Sequence, residues 1–298
     1  MVPERTEEDD DEDRRLISYW QAIVLGLLQG FSELFPISSL GHSVIVAQLL
    51  GWDIKANSNF FLTFLVGTHF ATALVLLGFF WRDWVRIVKG LARSLREREV
   101  ADADARLAWL LIVGTIPAGI LGLTLEHKLR SVFTSATSAS IFLMLNGLML
   151  YGAELLRRRA PTDDVGDPDA RIAERVGWKE AGAIGAAQSL ALIPGLSRSG
   201  ATMGGGLLVG LTNVDAARFA FLLATPIIAA AAVLKLPDLL GSTGEGVRGQ
   251  TLVGAICSAL TAYLAVRFLM RFFHTNRLTP FAIYCFCAGL AATVYFVS

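Results

Sequence analysis

Charge is scarce in this chain, and its scarcity limits where the chain can live. Only 17% of the 298 residues are charged, 54% are hydrophobic, and the mean hydropathy is +0.54. Too little polar surface remains to cover a soluble globule, so an integral membrane protein is expected and a soluble enzyme is excluded. Neither sign of charge dominates, because 26 Lys and Arg balance 26 Asp and Glu. A chain without a basic surplus lacks the electrostatic footprint of nucleic-acid binding, and none is expected. The three cysteines, Cys257, Cys285 and Cys287, lie in apolar stretches without metal-ligand spacing and read as small core residues. A basic n-region is missing as well, since residues 4–13 are mostly acidic, so no cleavable signal peptide is expected. The run Gly204-Gly205-Gly206 lacks the strand and the Lys-Ser/Thr of a P-loop; it reads as an allowance for tight helix packing.

What charge there is gathers in three places. Residues 1–15 hold eight carboxylates and three arginines with almost nothing to bury, which reads as a disordered acidic tail. Residues 82–106 and 154–180 read as charged loops. Between them lie apolar runs of about 20 residues, the length needed to cross a bilayer. The expected full spans are Asn59–Trp81, Leu107–Leu125, Val132–Ala153, Phe219–Leu236, Gln250–Val266 and Thr279–Val297. Two further apolar stretches, residues 17–50 and Ala181–Leu211, are interrupted at Pro36 and Pro194. Proline removes a backbone donor and pushes the residue before it out of the helical region. The first helix should therefore end near Phe35, and a second should start near Ser38 or Ser39.

The two broken stretches resemble each other at an offset of 159 residues. Ala22, Gly26, Gln29, Ser38 and Gly41 match Ala181, Gly185, Gln188, Ser197 and Gly200, and Phe60 matches Phe219. This points to an internal duplication, with repeat one at about 17–153, a cytoplasmic loop at 154–180 and repeat two at about 181–297, all within one membrane domain, 16–298. Loop charge supplies the orientation. The loops 82–106, 154–180 and 267–278 carry seven, six and three Lys/Arg, against one, two and two in 52–58, 126–131 and 235–249. If each broken pair returns to its own side, the basic loops are cytoplasmic and both termini lie outside. The expected architecture is then an all-α polytopic membrane protein, with six full transmembrane helices plus two broken re-entrant helix pairs in an inverted-topology repeat. In such repeats the broken helices meet near the midplane at the functional site.

The breaks carry the chemistry. A carboxylate inside a membrane-grade segment costs a few kcal/mol on insertion scales, about 2.5–3.5, which makes Glu33 a functional candidate. Gln29 and Glu33 stand four apart and share a helix face; Ser39 and His42 stand three apart and share another. Glu33 can bind a divalent metal or act as a base. His42 and Ser39 are both candidates for nucleophile or base, and Ser38 and Ser39 are also candidate helix caps. In the second break Arg198 is flanked by Ser197 and Ser199, and its planar guanidinium suits phosphate oxygens. Gly195 and Gly200 allow close backbone approach, Thr202 could add a hydroxyl, and the new helix directs its N-terminus at the same anion. An Arg198–Glu33 ion pair locking the repeats together is the structural alternative. His69, alone in mid-span, reads as a packed histidine, and Asn146 as an interhelical hydrogen-bonder.

These two stretches together resemble the undecaprenyl-diphosphatase family, also called bacitracin-resistance proteins. The first family motif stands here as Gln29, Glu33, Pro36, Ser38, Ser39, Gly41 and His42, and the second as Pro194, Gly195, Ser197, Arg198, Ser199, Gly200 and Thr202. The stretches 116–122 and 216–224 also look familial, and the resemblance runs from about residue 18 to the C-terminus. It implies hydrolysis of undecaprenyl diphosphate to the monophosphate and inorganic phosphate, with a divalent cation, Mg²⁺ or Ca²⁺. That reaction recycles the carrier lipid for cell-wall polymers in the bacterial plasma membrane and confers bacitracin resistance. By position, Glu33, Ser39, His42 and Arg198 would be catalytic, and Ser38, Ser197, Arg198, Ser199, Gly200 and Thr202 would hold phosphate. Glu33 and Gln29 would form the metal side. Gln29 stands where many members carry Glu, one carboxylate fewer for a metal. The expected partners are the lipid substrate and the bilayer, with room for a homo-oligomer. The competing reading is a transporter, a flippase for polyprenyl phosphate or another anionic lipid, and a nucleophile or base beside the phosphate site separates the two.

Overall fold

The computed structural model describes residues 17–52, 59–133, 135–157, 166–241 and 246–298. The acidic tail lies outside the described residues, as does most of the 52–58 segment. Twelve α-helices and one 3₁₀ turn are found among the described residues. Six of the helices are long and apolar enough to cross a membrane, which makes this a polytopic all-helical membrane protein.

The first break forms where the proline demands it. Helix α1 (Tyr19–Leu34) starts with a capping box between Ser18 and Gln21 and stops at Phe35, which is already extended with φ −67° and ψ 144°. Helix α2 (Ser39–Leu49) starts afresh after Ser38. Next come α3 (Asn59–Phe79), α4 (Trp81–Glu97), α5 (Ala103–Phe133) and α6 (Ala136–Leu156). In the second half α7 (Pro168–Arg175) precedes α8 (Trp178–Ala187), which tightens into a 3₁₀ turn over Gln188–Leu192. The tighter turn satisfies carbonyls that the approaching Pro194 leaves without helical partners. Helices α9 (Arg198–Leu208), α10 (Asn213–Leu240), α11 (Arg248–Phe272) and α12 (Thr279–Val297) complete the chain.

Packing repeats with the halves exchanged. Helix α1 lies along α11, and its counterpart α8 lies along α5. Both contacts are made through a glycine that admits the partner backbone. A β-carbon on Gly26 would stand 2.4 Å from the Gly254 carbonyl oxygen, and one on Gly185 would stand 2.1 Å from that of Gly114. Without a hydrophobic drive between helices in lipid, such close backbone contact is what holds them together. The two halves run in opposite senses. Tyr19, at the start of α1, lies against Gly249 at the start of α11. Trp178, at the start of α8, stacks under Arg106 at the start of α5, with 5.3 Å from guanidinium to ring. Large outward side chains such as Leu123, Leu252, Ile256 and Val294 are exposed, as lipid-facing helices require. Cys285 is buried, as expected, but Cys287 is exposed, because two residues along α12 the helix turns its face outward.

The two charged loops are more ordered than their composition suggests. Residues 82–106 are largely α4, an amphipathic helix, and α7 from the 154–180 region docks against α5 and α10. The docking is ionic. Asp169, with no exposed side-chain surface, accepts from Arg86 Nη2 at 2.6 Å and from Arg218 Nε at 2.7 Å. Arg86 also reaches Asp167 at 2.7 Å, Arg218 reaches Asp83 at 2.9 Å, and Arg171 reaches Asp215 at 2.7 Å. The carboxylates come from three separate stretches, so no local pattern announced them.

Two outcomes follow from this packing. Gly26→Val should destabilise the protein by about 1–3 kcal/mol through overpacking against Gly254, and Gly185→Val should do the same against Gly114. Asp169→Ala should cost about 3–5 kcal/mol, since the buried Arg218 would lose its Asp169 pair and keep only Asp83, which it shares with Arg86. Thermal unfolding in detergent reads both.

Candidate active site

At Ser38 the chain takes up φ 70°, a left-handed conformation unusual for a residue with a side chain. Several bonds hold it there. Its Oγ caps α2 by accepting from Gly41 N at 3.3 Å and also accepts from Gly195 N at 3.2 Å. Its carbonyl lies 2.7 Å from His42 Nδ1. Ser197 does the corresponding job in the second break, accepting from Gly200 N at 3.1 Å. The breaks touch through glycine, because a β-carbon on Gly41 would come within 2.7 Å of the Gly195 backbone. Gly195, at φ 105°, in turn has no room for a β-carbon beneath Ala139 and Leu143 of α6. Asn146 of α6 ties both breaks. Its Nδ2 donates to Pro36 O at 2.9 Å, and its Oδ1 accepts from Ser197 N at 3.0 Å.

This crossing delivers four side chains to one carboxylate. Glu33 Oε1 accepts from Arg198 Nη2, and Oε2 accepts from Ser39 Oγ. Gln29 Nε2 donates to Oε2 at 2.9 Å, and His69 Nε2 lies 3.3 Å from the same oxygen. Arg198 Nη1 also donates to Ala224 O at 3.3 Å. Glu33, Ser39, His69 and Arg198 then line one end of a cavity of about 950 Å³. Away from that end the wall is mostly apolar, with Val66, Ile112, Ile116, Ile120, Ile227 and Leu234 from α3, α5 and α10, and Lys235 beside Leu234. A polar pole with an anion-binding guanidinium and a long apolar remainder describe a site for an amphiphile with an anionic head.

A family model described as "Bacitracin resistance protein BacA" matches residues 22–291. The chain is 51% identical to the undecaprenyl-diphosphatase of Mycolicibacterium paratuberculosis (strain ATCC BAA-968 / K-10), with 94% of this chain and 97% of the relative covered. Identity to the undecaprenyl-diphosphatase of Mycobacterium avium (strain 104) is 51% over the same shares. It is 43% to undecaprenyl-diphosphatase 2 of Frankia alni (strain DSM 45986 / CECT 9034 / ACN14a), covering 94% and 98%. The chain belongs to the BacA family.

Within this BacA chain the residues singled out by sequence divide into three groups. Glu33, Ser39 and Arg198 meet, and the ion pair joining the repeats is present while Arg198 still faces the cavity. Ser38 and Ser197 also line the cavity, but their hydroxyls cap helices. His42, Ser199, Gly200, Thr202 and Gln29 are not in its wall. Thr202 bonds back to Arg198 O at 2.9 Å, and Ser199 donates to Phe35 O at 3.0 Å, so neither hydroxyl is turned to a phosphate. His42 is held between Ser38 O and Tyr284 OH, the latter 2.8 Å from Nε2, and its ring stacks on Tyr284. The imidazole in the cavity is His69 instead. Sequence alone reads it as a packing residue because its partner Glu33 is distant along the chain and reaches it only where α3 crosses α1. Its one visible signal was being a titratable side chain in an otherwise apolar span.

Asn146→Leu should leave Ser197 N buried without a partner, at about 1–3 kcal/mol, and Pro36 O with only the 3.8 Å contact from Cys285 Sγ. Unfolding in detergent should show that loss although no cavity residue has changed.

Proposed function

We propose that the Glu33–Ser39–Arg198 cavity is the active site for hydrolysis of undecaprenyl diphosphate to undecaprenyl phosphate and inorganic phosphate. The protein is a membrane phosphatase that recycles the carrier lipid for cell-wall synthesis. The observation that carries the site assignment is the Ser39 hydroxyl donating to a carboxylate that also pairs with Arg198, at the polar pole of an apolar cavity. A hydroxyl with an adjacent base is an activated nucleophile, which a lipid carrier has no use for.

Ser39 Oγ attacks the terminal phosphorus while its proton passes to Glu33 Oε2. The bond from that phosphorus to the bridging oxygen breaks, and undecaprenyl phosphate leaves. Water then adds its oxygen to the phosphoserine phosphorus as the bond to Ser39 Oγ breaks; Glu33 returns its proton to Ser39 Oγ, one water proton stays on the released phosphate and the other passes to solvent. Phosphate is released and the site is restored. Arg198 stabilises charge on the equatorial oxygens, helped by the positive end of α9. The prenyl chain lies along the apolar wall, so the lipid need not leave the hydrocarbon region.

A divalent cation, Mg²⁺ or Ca²⁺, is part of this reading. Among the described residues no cluster of three or more His, Cys, Asp or Glu is placed to hold a metal. Gln29 Oε1, however, is buried without a partner beside Glu33. That donor set fits an ion that takes most of its shell from water and substrate oxygens, as Mg²⁺ does in phosphoryl-transfer sites. Glu33 and Gln29 would hold it, and when bound it would neutralise charge on the diphosphate.

The basic end, with α4, α7 and Arg157, faces the cytoplasm on the positive-inside rule, which puts both termini and the mouth of the site outside. An epitope placed after Ser298 should be reached by antibody on intact spheroplasts; reaching it only after permeabilisation would reverse the orientation.

Purified protein should release phosphate from undecaprenyl diphosphate and stop when the cation is chelated. Glu33→Ala and Ser39→Ala should each reduce kcat by about 10²–10⁴, and Arg198→Ala by about 10²–10³. No release by folded wild type that still binds the lipid would sink the hydrolase reading and leave a transporter.

A further inference from the structure

Resting on the reading of this cavity as the diphosphate site, we propose that His69 is a metal ligand, standing beside Glu33 where Gln29 supplies no second carboxylate. His69 Nδ1 lies 2.7 Å from Leu65 O, and a carbonyl only accepts, so Nδ1 carries the ring proton. In the neutral ring Nε2 is then a bare lone pair. It stands 3.3 Å from Glu33 Oε2, and both side chains are in the cavity wall. A cation in front of both would be reached by the two atoms at once. Oxygen and nitrogen ligands at right angles on one ion, each about 2.1 Å from it, are separated by about 3 Å. A ring N–H tied to a backbone carbonyl, with the other nitrogen turned toward the ion, is how metal-ligating histidines are held.

Two further observations point the same way. Arg198 already supplies the positive partner of Glu33, so the imidazole is not required as a second counter-ion. Gln29 Oε1 is fully buried without a partner, while its Nε2 donates to the Glu33 oxygen that faces His69. One carboxylate oxygen and one imidazole nitrogen thus face each other in the cavity wall, and the orphan amide oxygen belongs to the residue bonded to that carboxylate. The remaining positions fall to water and the diphosphate. An imidazole in the set shifts preference away from Ca²⁺ and toward first-row transition ions, so Mn²⁺ should bind more tightly than Ca²⁺.

The test uses the full chain in detergent with Mn²⁺, alone and with inorganic diphosphate as a head-group probe. Electron spin-echo modulation reports any ¹⁴N bonded to the ion. Wild type should show nitrogen modulation; His69→Gln should abolish it and weaken Mn²⁺ binding about tenfold or more. His42→Gln should keep the modulation, because that imidazole is held by Ser38 and Tyr284 outside the cavity wall. Nitrogen-free Mn²⁺ in wild type, no bound Mn²⁺ with or without diphosphate, or an unchanged spectrum in His69→Gln would each overturn the assignment. Phosphate release by the same preparation separates the two readings. Release without nitrogen coupling removes His69 alone, whereas failure to release phosphate removes the diphosphatase reading itself.

Discussion

A buried carboxylate has to be answered, and the answer given to Glu33 organises this molecule. Glu33 is 8% exposed, in a helix otherwise composed for lipid contact. Removing such a charge from water costs several kcal/mol unless a cation and hydrogen bonds replace the lost solvent. Arg198 supplies the cation from the other repeat, and Gln29 and Ser39 supply hydrogen bonds. Each of these groups is itself costly at such depth, so neither repeat is satisfied alone. The functional pole and the junction between repeats are therefore the same place.

Bringing those groups together requires backbone where a membrane helix would have side chains. Gly41 and Gly195 let the two breaks touch, and Gly26 and Gly185 let α1 and α8 sit directly on α11 and α5. Asn146 then supplies the bonds that proline and the helix starts leave open, one to Pro36 O and one to Ser197 N. Irregular backbone is tolerated at membrane depth only when protein surrounds it, and α6 is that protein here. The duplication has diverged where the chemistry differs. At the 159-residue offset Ser39 corresponds to Arg198 and Glu33 to Leu192, so one repeat carries the carboxylate and the hydroxyl and the other the guanidinium.

The basic end of the molecule has its own logic. Asp169 has no exposed side-chain surface and stands between Arg86 and Arg218, joining α4, α7 and α10. Helix α4 contributes Trp84, Ile87, Val88 and Leu91 to the cavity wall, so the ionic cluster also fixes part of the lipid-facing lining. A composition of alternating charge reads as a solvated loop because the pattern holds no record of which distant charges will meet.

Much of this was written locally. Apolar runs of bilayer length, prolines at Pro36 and Pro194, and the repeated Ala, Gly, Gln, Ser and Gly determine the spans, the breaks and the duplication, since each depends on neighbours within a helical turn or two. The capping role of Ser38 and the candidacy of Glu33 and Arg198 follow equally from short-range pattern and the cost of charge in lipid. Tertiary structure alone decided which side chains share the cavity. His42 and His69 are indistinguishable as isolated imidazoles in apolar sequence. The helix start at Ser38 and Tyr284 of α12 turn the first away, while the crossing of α3 over α1 sets the second beside Glu33. Thr202 and Ser199 had the right chemistry for phosphate, but nearer backbone carbonyls took their hydroxyls first. A motif constrains residue type and register, whereas the direction of a side chain depends on the partners that packing brings within reach.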